Sequence, residues 1–255
     1  MIKAGIFIIC SLRKFFPFFL IAGFYLYLSQ PLSAQELTID FAEGTGLTQR
    51  AFQLIALITI LSLAPSILVM VTSFTRIVVV LSLLRTAIGI QQSPPNSVVI
   101  SLALFLTAFV MAPVLEKSYQ DGILPLIEEK IELKEAFPLA AKPFHAFMMK
   151  HVREKDLQLF IDLSKIEKPE NAEDVPLHVL TPAFMISELR RAFEIGFLLF
   201  VPFIIIDLVV SSVLMSMGML MLPPIIISLP FKLIFFVLVD GWYMVAGSLI
   251  KSFGT

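Results

Sequence analysis

The stretch that decides the fold is Thr181–Phe197, TPAFMISELRRAFEIGF, because it joins a charged region to a run apolar enough to span or replace a bilayer. Beyond it, from Leu198 to Trp242, the chain reads LLFVPFIIIDLVVSSVLMSMGMLMLPPIIISLPFKLIFFVLVDGW. Thr181 suits an N-cap, and Pro182 suits the first helical position, where a missing N–H costs nothing. A helix that starts among charges and continues into an apolar run predicts a membrane-associated, all-α protein.

Composition agrees. The chain has 255 residues, of which 58% are hydrophobic and 15% charged, with a mean hydropathy of +0.91. Soluble domains carry about 25% charged residues. A net charge of −1 offers no basic field for nucleic acid, so no nucleic-acid partner is expected. The charges are clustered: 11 of the 19 Lys and Arg and 14 of the 20 acids fall between Glu116 and Arg191. Residues 116–181 therefore read as a polar domain between two hydrophobic halves.

Residues 1–34 read as a signal peptide. Lys3, Arg13 and Lys14 precede the apolar run Phe15–Leu28, which is too short to span a bilayer, and Ser33 and Ala34 supply small residues for cleavage. Leu32 stands where a small residue is usual, and an uncleaved N-terminal anchor is the alternative. Cys10, in that leader, is the only cysteine, so the remainder has no thiol for a disulfide, nucleophile or metal.

After a linker at 35–50, residues 51–115 predict a first helical hairpin. Its first arm runs from Phe52 to Ile90, overlong for one span, so it either breaks near Pro65 or projects beyond the membrane. The turn QQSPPN (91–96) leads into the second arm, Val98–Leu115. In the polar domain, helical stripes run through Ile123, Leu126, Ile127 and Ile131, then Phe144, Phe147, Met148 and Val152, then Leu159, Phe160 and Leu163. Phe144, Phe147 and Phe160 should turn inward, and Ile166–Leu180 reads as a loop. Residues 182–255 predict a second hairpin, Phe193–Leu214 and Ile225–Ile250, around a Met-rich loop.

The stretch Thr72–Ser97 carries Arg76 and Arg85 and no acid, which places it in the cytoplasm by the positive-inside rule. Four crossings with a translocated N-terminus then put the polar domain outside. Against a simple four-span picture, Arg76, Arg85, Glu194, Asp207, Lys232 and Asp240 lie in or beside apolar runs. A charge at the bilayer centre costs about 2.5–3.5 kcal/mol on insertion scales. Some of these residues snorkel at interfaces, or the helices pack on protein within an oligomer. Asp207 and Lys232 flank the hinge near Met219 at similar distances in sequence, which predicts an ion pair; two independent interfacial charges are the competing reading.

No Gly-rich phosphate loop, nucleophile elbow, His-Glu-x-x-His pair or metal-ligand spacing occurs in the sequence, so no enzyme, cofactor or metal is expected. His145, His151 and His178 read as solvated or capping residues. A solute transporter and a membrane-embedded enzyme remain as other classes.

Met215, Met217, Met219 and Met221 recur every second residue around Gly218 and before Pro223–Pro224, a spacing that makes no helical face and predicts a loop or broken helix. Methionine is unbranched, apolar and adaptable, which suits a gate; an ordinary Met-rich buried turn is the plainer reading.

PAFMISELRRAFEIGF (Pro182–Phe197), PFKLIFFVLVDGW (Pro230–Trp242) and TSFTRIVVVLSLLRTAIGIQQSPPNSVVISLALFLTAFVMAP (Thr72–Pro113) resemble the FliP family of flagellar type III export-gate proteins. The similarity covers about Ala51–Phe253 and is weak through Tyr119–Val175. It implies an oligomeric, pentameric ring that joins FliQ, FliR and other export-apparatus membrane proteins of the flagellar basal body in the inner membrane. Unfolded flagellar proteins would pass through it. It also implies that the polar domain is periplasmic, that the assembly sits largely above the bilayer plane, and that the methionines line the narrowest part of the channel. The leader and the long polar domain match the flagellar branch better than the virulence-secretion branch.

Overall fold

The computed structural model describes residues 46–254 except 91–92, 167–168, 170 and 220. The expected signal peptide and residues 35–45 of the linker lie outside the described residues. The chain divides into two units, residues 1–56 and 57–255. The described part of the first is helical, the opening of α1 (Gly46–Met70). No strand occurs among the described residues, and the all-α expectation holds.

In the second unit, α1 continues through position 65 without a break. The break comes later, at Val71–Ser73, before α2 (Phe74–Ile88). This corrects two readings. Thr72–Ser97 is no surface connection, because α2 presents Ile77, Leu81, Leu84 and Ile88 at helical spacing and buries them in the core. Arg76 is buried with them, so it gives no support to a cytoplasmic assignment.

Helix α3 (Asn96–Ser118) runs on through a π-helical turn, Tyr119–Ile123, into α4 (Leu124–Ile127). The wide turn falls just before Pro125, which has no N–H to give an ordinary α-helical bond. Ser118 Oγ donates to the Ala140 carbonyl at 2.7 Å and fixes α5 (Leu133–His151) against this turn. Helix α6 (Glu154–Ser164) follows. Phe147 is buried, and Phe144 and Phe160 pack against the same core, so the inward-turned phenylalanines are as expected. Residues 116–181 share that core with α2 and α7.

Helix α7 covers Leu177–Ser216, 40 residues with Pro176 as N-cap. Thr181 is thus inside the helix, one turn beyond its start, and the expected cap is corrected. Burial of Val179, Leu180, Ala183 and Phe184 on the core extends the helix backward past Pro182. The fourth apolar segment is also not one helix: α8 (Pro224–Leu238) and α9 (Gly241–Lys251) meet at a 62° bend. Asp240 makes the bend with left-handed backbone angles (φ 49°), which Asp tolerates better than most residues. Gly241 follows because a Cβ there would lie 2.1 Å from the Phe236 ring.

Two charged centres hold the unit together. Arg76, 1% exposed, pairs bidentately with fully buried Glu188: Nε donates to Oε2 at 2.8 Å and Nη2 donates to Oε1. Arg76 Nη1 also donates to Ser252 O (3.2 Å) and Oγ (3.0 Å), and the guanidinium carbon lies 3.8 Å from the Phe253 ring centroid. One guanidinium thereby joins α2, α7 and the end of α9. At the second centre Arg153 clasps Asp156 (2.7 and 2.8 Å), and Ser187 Oγ lies 2.7 Å from Asp156 Oδ2. These hydrogen bonds, the one from Arg153 first, hold the Asp156 carboxyl below the ordinary carboxylate range.

Removing one member of the Arg76–Glu188 pair leaves a buried charge uncompensated, which costs about 3–5 kcal/mol. Arg76→Met alone should therefore lower the thermal midpoint of the detergent-purified chain far more than Arg76→Met with Glu188→Leu. Equal losses would show that the pair acts only through its separate halves.

His151 packs on Phe147 (4.7 Å between ring centroids) and Phe253 (5.3 Å). Burial first, then the charges of Arg76, Lys150 and Arg191, lower its pKa to about 4. An unfolded histidine titrates near 6.5. The unfolded chain therefore binds the proton first: this contribution is complete above pH 6.5, shrinks as pH falls towards about 4, and is flat below. Thermal midpoints from pH 7 to pH 4 should fall more steeply in the natural chain than in His151→Gln.

Candidate functional site

The Met-rich loop stands on a defined base. Helix α7 ends at Ser216, Met217 is its C-cap, and Gly218 takes φ 72°. Gly218 N–H donates to Met215 O (3.0 Å) and Met219 N–H to Leu214 O (3.0 Å), the paired bonds of a Schellman motif. Only glycine accepts that left-handed position without strain. Pro223 caps α8 and Pro224 begins it. Met215 is still in the helix, Met217 caps it, and Met219 and Met221 belong to the loop. All four are exposed, Met221 at 98%. The expected break in the helix is present, and its start is set by Gly218.

Behind the loop the structure brings Asp207 and Lys232 together. Lys232 Nζ donates to Asp207 Oδ2 at 2.7 Å, and Ser228 Oγ donates to Oδ1 at 2.6 Å. Lys232 is 5% exposed and Ser228 is fully buried. Ser228 and Lys232 are four residues apart, one above the other on the face of α8 that meets α7. Sequence reading found the pair and missed Ser228, whose signal was that spacing.

The other expected buried charges have different settings. Arg85, in the last turn of α2, donates to Asn96 Oδ1 (2.6 Å) and the Pro94 carbonyl (3.2 Å), tying α2 to the start of α3. It is half-buried. Glu194 is exposed and pairs with Arg190 one turn away at 2.9 Å on the open face of α7. Asp240 is exposed at the α8–α9 bend. Within one chain these three are not buried, because each sits at a helix end or on an outward face. Glu188, the acid that does neutralise a core arginine, was missed; it lies three residues from Arg191 in SELRR.

Among the described residues two helical stretches are long and apolar enough to cross a membrane, Asn96–Ile127 and Leu177–Ser216, and the bent pair α8–α9 is a third if counted as one. Of the first expected crossing only α1 is left, since α2 is spent on the core. At 1.5 Å per residue α7 is about 60 Å long, twice the hydrocarbon thickness. Its first half carries the core contacts. Its most apolar 18 residues are only 11% buried within the chain, so lipid or other protein must cover them. Leu198, Ile205, Leu208 and Val209 are among those left bare.

Of the three histidines, His178 is exposed as the sequence implied and His145 Nε2 lies 2.8 Å from the Val175 carbonyl, whereas His151, packed on Phe147 and Phe253, corrects the solvated or capping reading. Among the described residues no group of three or more His, Cys, Asp or Glu is placed to hold a metal ion.

Asp207→Asn keeps the shape but strips the charge from a buried ammonium's partner. It should lower the thermal midpoint by about 3 kcal/mol equivalent, the lower end for a broken buried pair because Asp207 is 35% exposed. Lys232→Met should cost less, and should largely rescue Asp207→Asn. A tolerated Asp207→Asn beside a disruptive Lys232→Met would sink the pairing.

Residues 57–249 match the model of the FliP family. The flagellar biosynthetic protein FliP of Caulobacter vibrioides is 65% identical over 222 residues, 87% of this chain and 84% of that protein. That of Bacillus subtilis is 55% identical over 201 residues, 79% and 91% respectively. That of Aquifex aeolicus is 50% identical over 217 residues, 84% and 91%.

Proposed function

The chain belongs to the FliP family, and on that premise we propose that it is a core subunit of the flagellar protein-export gate in the inner membrane. Copies of the chain form a pentameric ring with FliQ and FliR, and unfolded flagellar proteins pass through its centre. The polar residues 116–181 face the periplasm, as the leader implies. The role is mechanical, with no chemical step.

The observation that carries this reading is the exposed methionine loop on its capped base. Four methionine side chains stand free at the junction of α7 and α8, two helices whose apolar faces are bare within one chain. Repeated around an axis, such loops give a ring of long, unbranched apolar side chains. That ring closes on itself when empty and adapts to a passing chain. An apolar constriction of this kind also excludes water and ions when shut. The Asp207–Lys232 pair holds α7 to α8 behind the loop, so the helices keep their position while the loop yields.

The test is to delete Gly218–Leu222, or to replace Met219 and Met221 by Ala, in cells that express the whole gate. Ion leakage across the membrane should rise while secretion is largely kept. A tight membrane with a collapsed assembly would make the loop a structural turn.

A further inference from the structure

A second cleft lies away from the methionine loop, between the end of α3, the end of α5 and the residues after α9. Its volume is about 330 Å³, at the small end of ligand sites and sized for a headgroup more than a whole lipid. Lys117, Lys150 and His151 line it, and no Asp or Glu does. Of the acids nearby, Glu188 is held by Arg76 and Glu116 accepts from Gln120 at 3.2 Å. Among the described residues neither lysine makes an ion pair within 4.0 Å. The rest of the wall is apolar, with Val110 and Val114 of α3 on one side and Phe253 on the other.

Position gives the cleft its chemistry. Lys117 ends the apolar stretch of α3, in a helix long and apolar enough to cross a membrane. Two ammonium groups without an ion pair among the described residues, above an apolar strip that continues down the same helix, match a phosphate joined to acyl chains. We propose that this cleft binds the headgroup of an anionic phospholipid, with the phosphate on Lys117 and Lys150 and the first acyl carbons along Val110 and Val114. The setting of His151 agrees with this, because its proton is disfavoured by burial and by Arg76, Lys150 and Arg191, a field of positive charge that an anion would relieve.

The full chain, purified in detergent, is titrated with phosphatidylglycerol, with phosphatidylcholine and with glycerol phosphate, and affinity is read by thermal shift and by lipid retained in native mass spectrometry. Phosphatidylglycerol should bind, and Lys117→Gln with Lys150→Gln should weaken it about 30-fold, at roughly 1 kcal/mol for each basic residue at an anionic surface. Lys134→Gln with Lys155→Gln, exposed lysines outside the cleft, should change it less than twofold. Equal binding of phosphatidylcholine, or an equal loss in the Lys134/Lys155 control, would overturn the site in favour of general surface attraction. Glycerol phosphate binding as tightly as the lipid would overturn the lipid and leave a free anion. Capture of an acidic peptide in place of phosphatidylglycerol would overturn it in favour of a protein partner. If the double variant fails to keep its helical content, Lys150→Gln alone, an exposed position, should still weaken phosphatidylglycerol about fivefold; no change would end the proposal.

Discussion

A guanidinium that is nearly without solvent has to be met on every side, and Arg76 is met by two distant parts of the chain. Glu188 takes two of its N–H groups, Ser252 takes another, and Phe253 covers its face. Desolvating both ions is expensive, and hydrophobic residues of the same volume could stabilise the core as well. What the pair adds is geometry: α7 can slide along α2 only by parting a bidentate contact. The register of α7 follows, and with it the place where its bare half emerges from the core.

Helix α7 consequently has two physical characters in one rod. In its first half, Ser187 and Glu188 face inward, and Arg190 and Glu194 pair in solvent on the outer side. Further on the helix is apolar nearly all round, which within one chain is a surface awaiting cover. Helix α8 can follow it out of the core because Lys232 and Ser228 converge on Asp207. The 62° bend at Asp240 then turns α9 back, so that Ser252 and Phe253 reach Arg76.

Much of this was legible in the sequence. Apolar periodicity gave the helices, Pro223–Pro224 and Gly218 marked the broken tip, and the placement of Asp207 and Lys232 about that tip gave their pairing. Boundaries were less legible, for physical reasons. Pro182 reads as a helix start, yet burial of Val179 and Leu180 carries the helix past it. Pro65 reads as a breaker, yet the break falls at Val71–Ser73. The Asp240–Gly241 bend was hidden in a continuous apolar run. Hydropathy took α2 for part of a span because a core helix and a membrane helix carry the same residues; only the bound partner of Arg76, 112 positions away, tells them apart. Glu188 was missed because a polar residue's partner across space leaves no local mark, whereas Ser228 was marked only by its spacing from Lys232.

The separation of those partners has a consequence for how the chain is made. Ribosomes add about 5–20 residues per second, so roughly 6–20 seconds pass between Arg76 and Glu188, and Ser252 comes 176 positions after Arg76. Through that interval α2 has its apolar face and its arginine but not the helix that covers them. Helix α2 cannot settle early, and a nascent chain of this kind depends on whatever shields α2 until its last segment arrives. Messages cut short before codon 188 would yield products with an unmet guanidinium at their centre, the sort of defect by which proteases recognise incomplete chains.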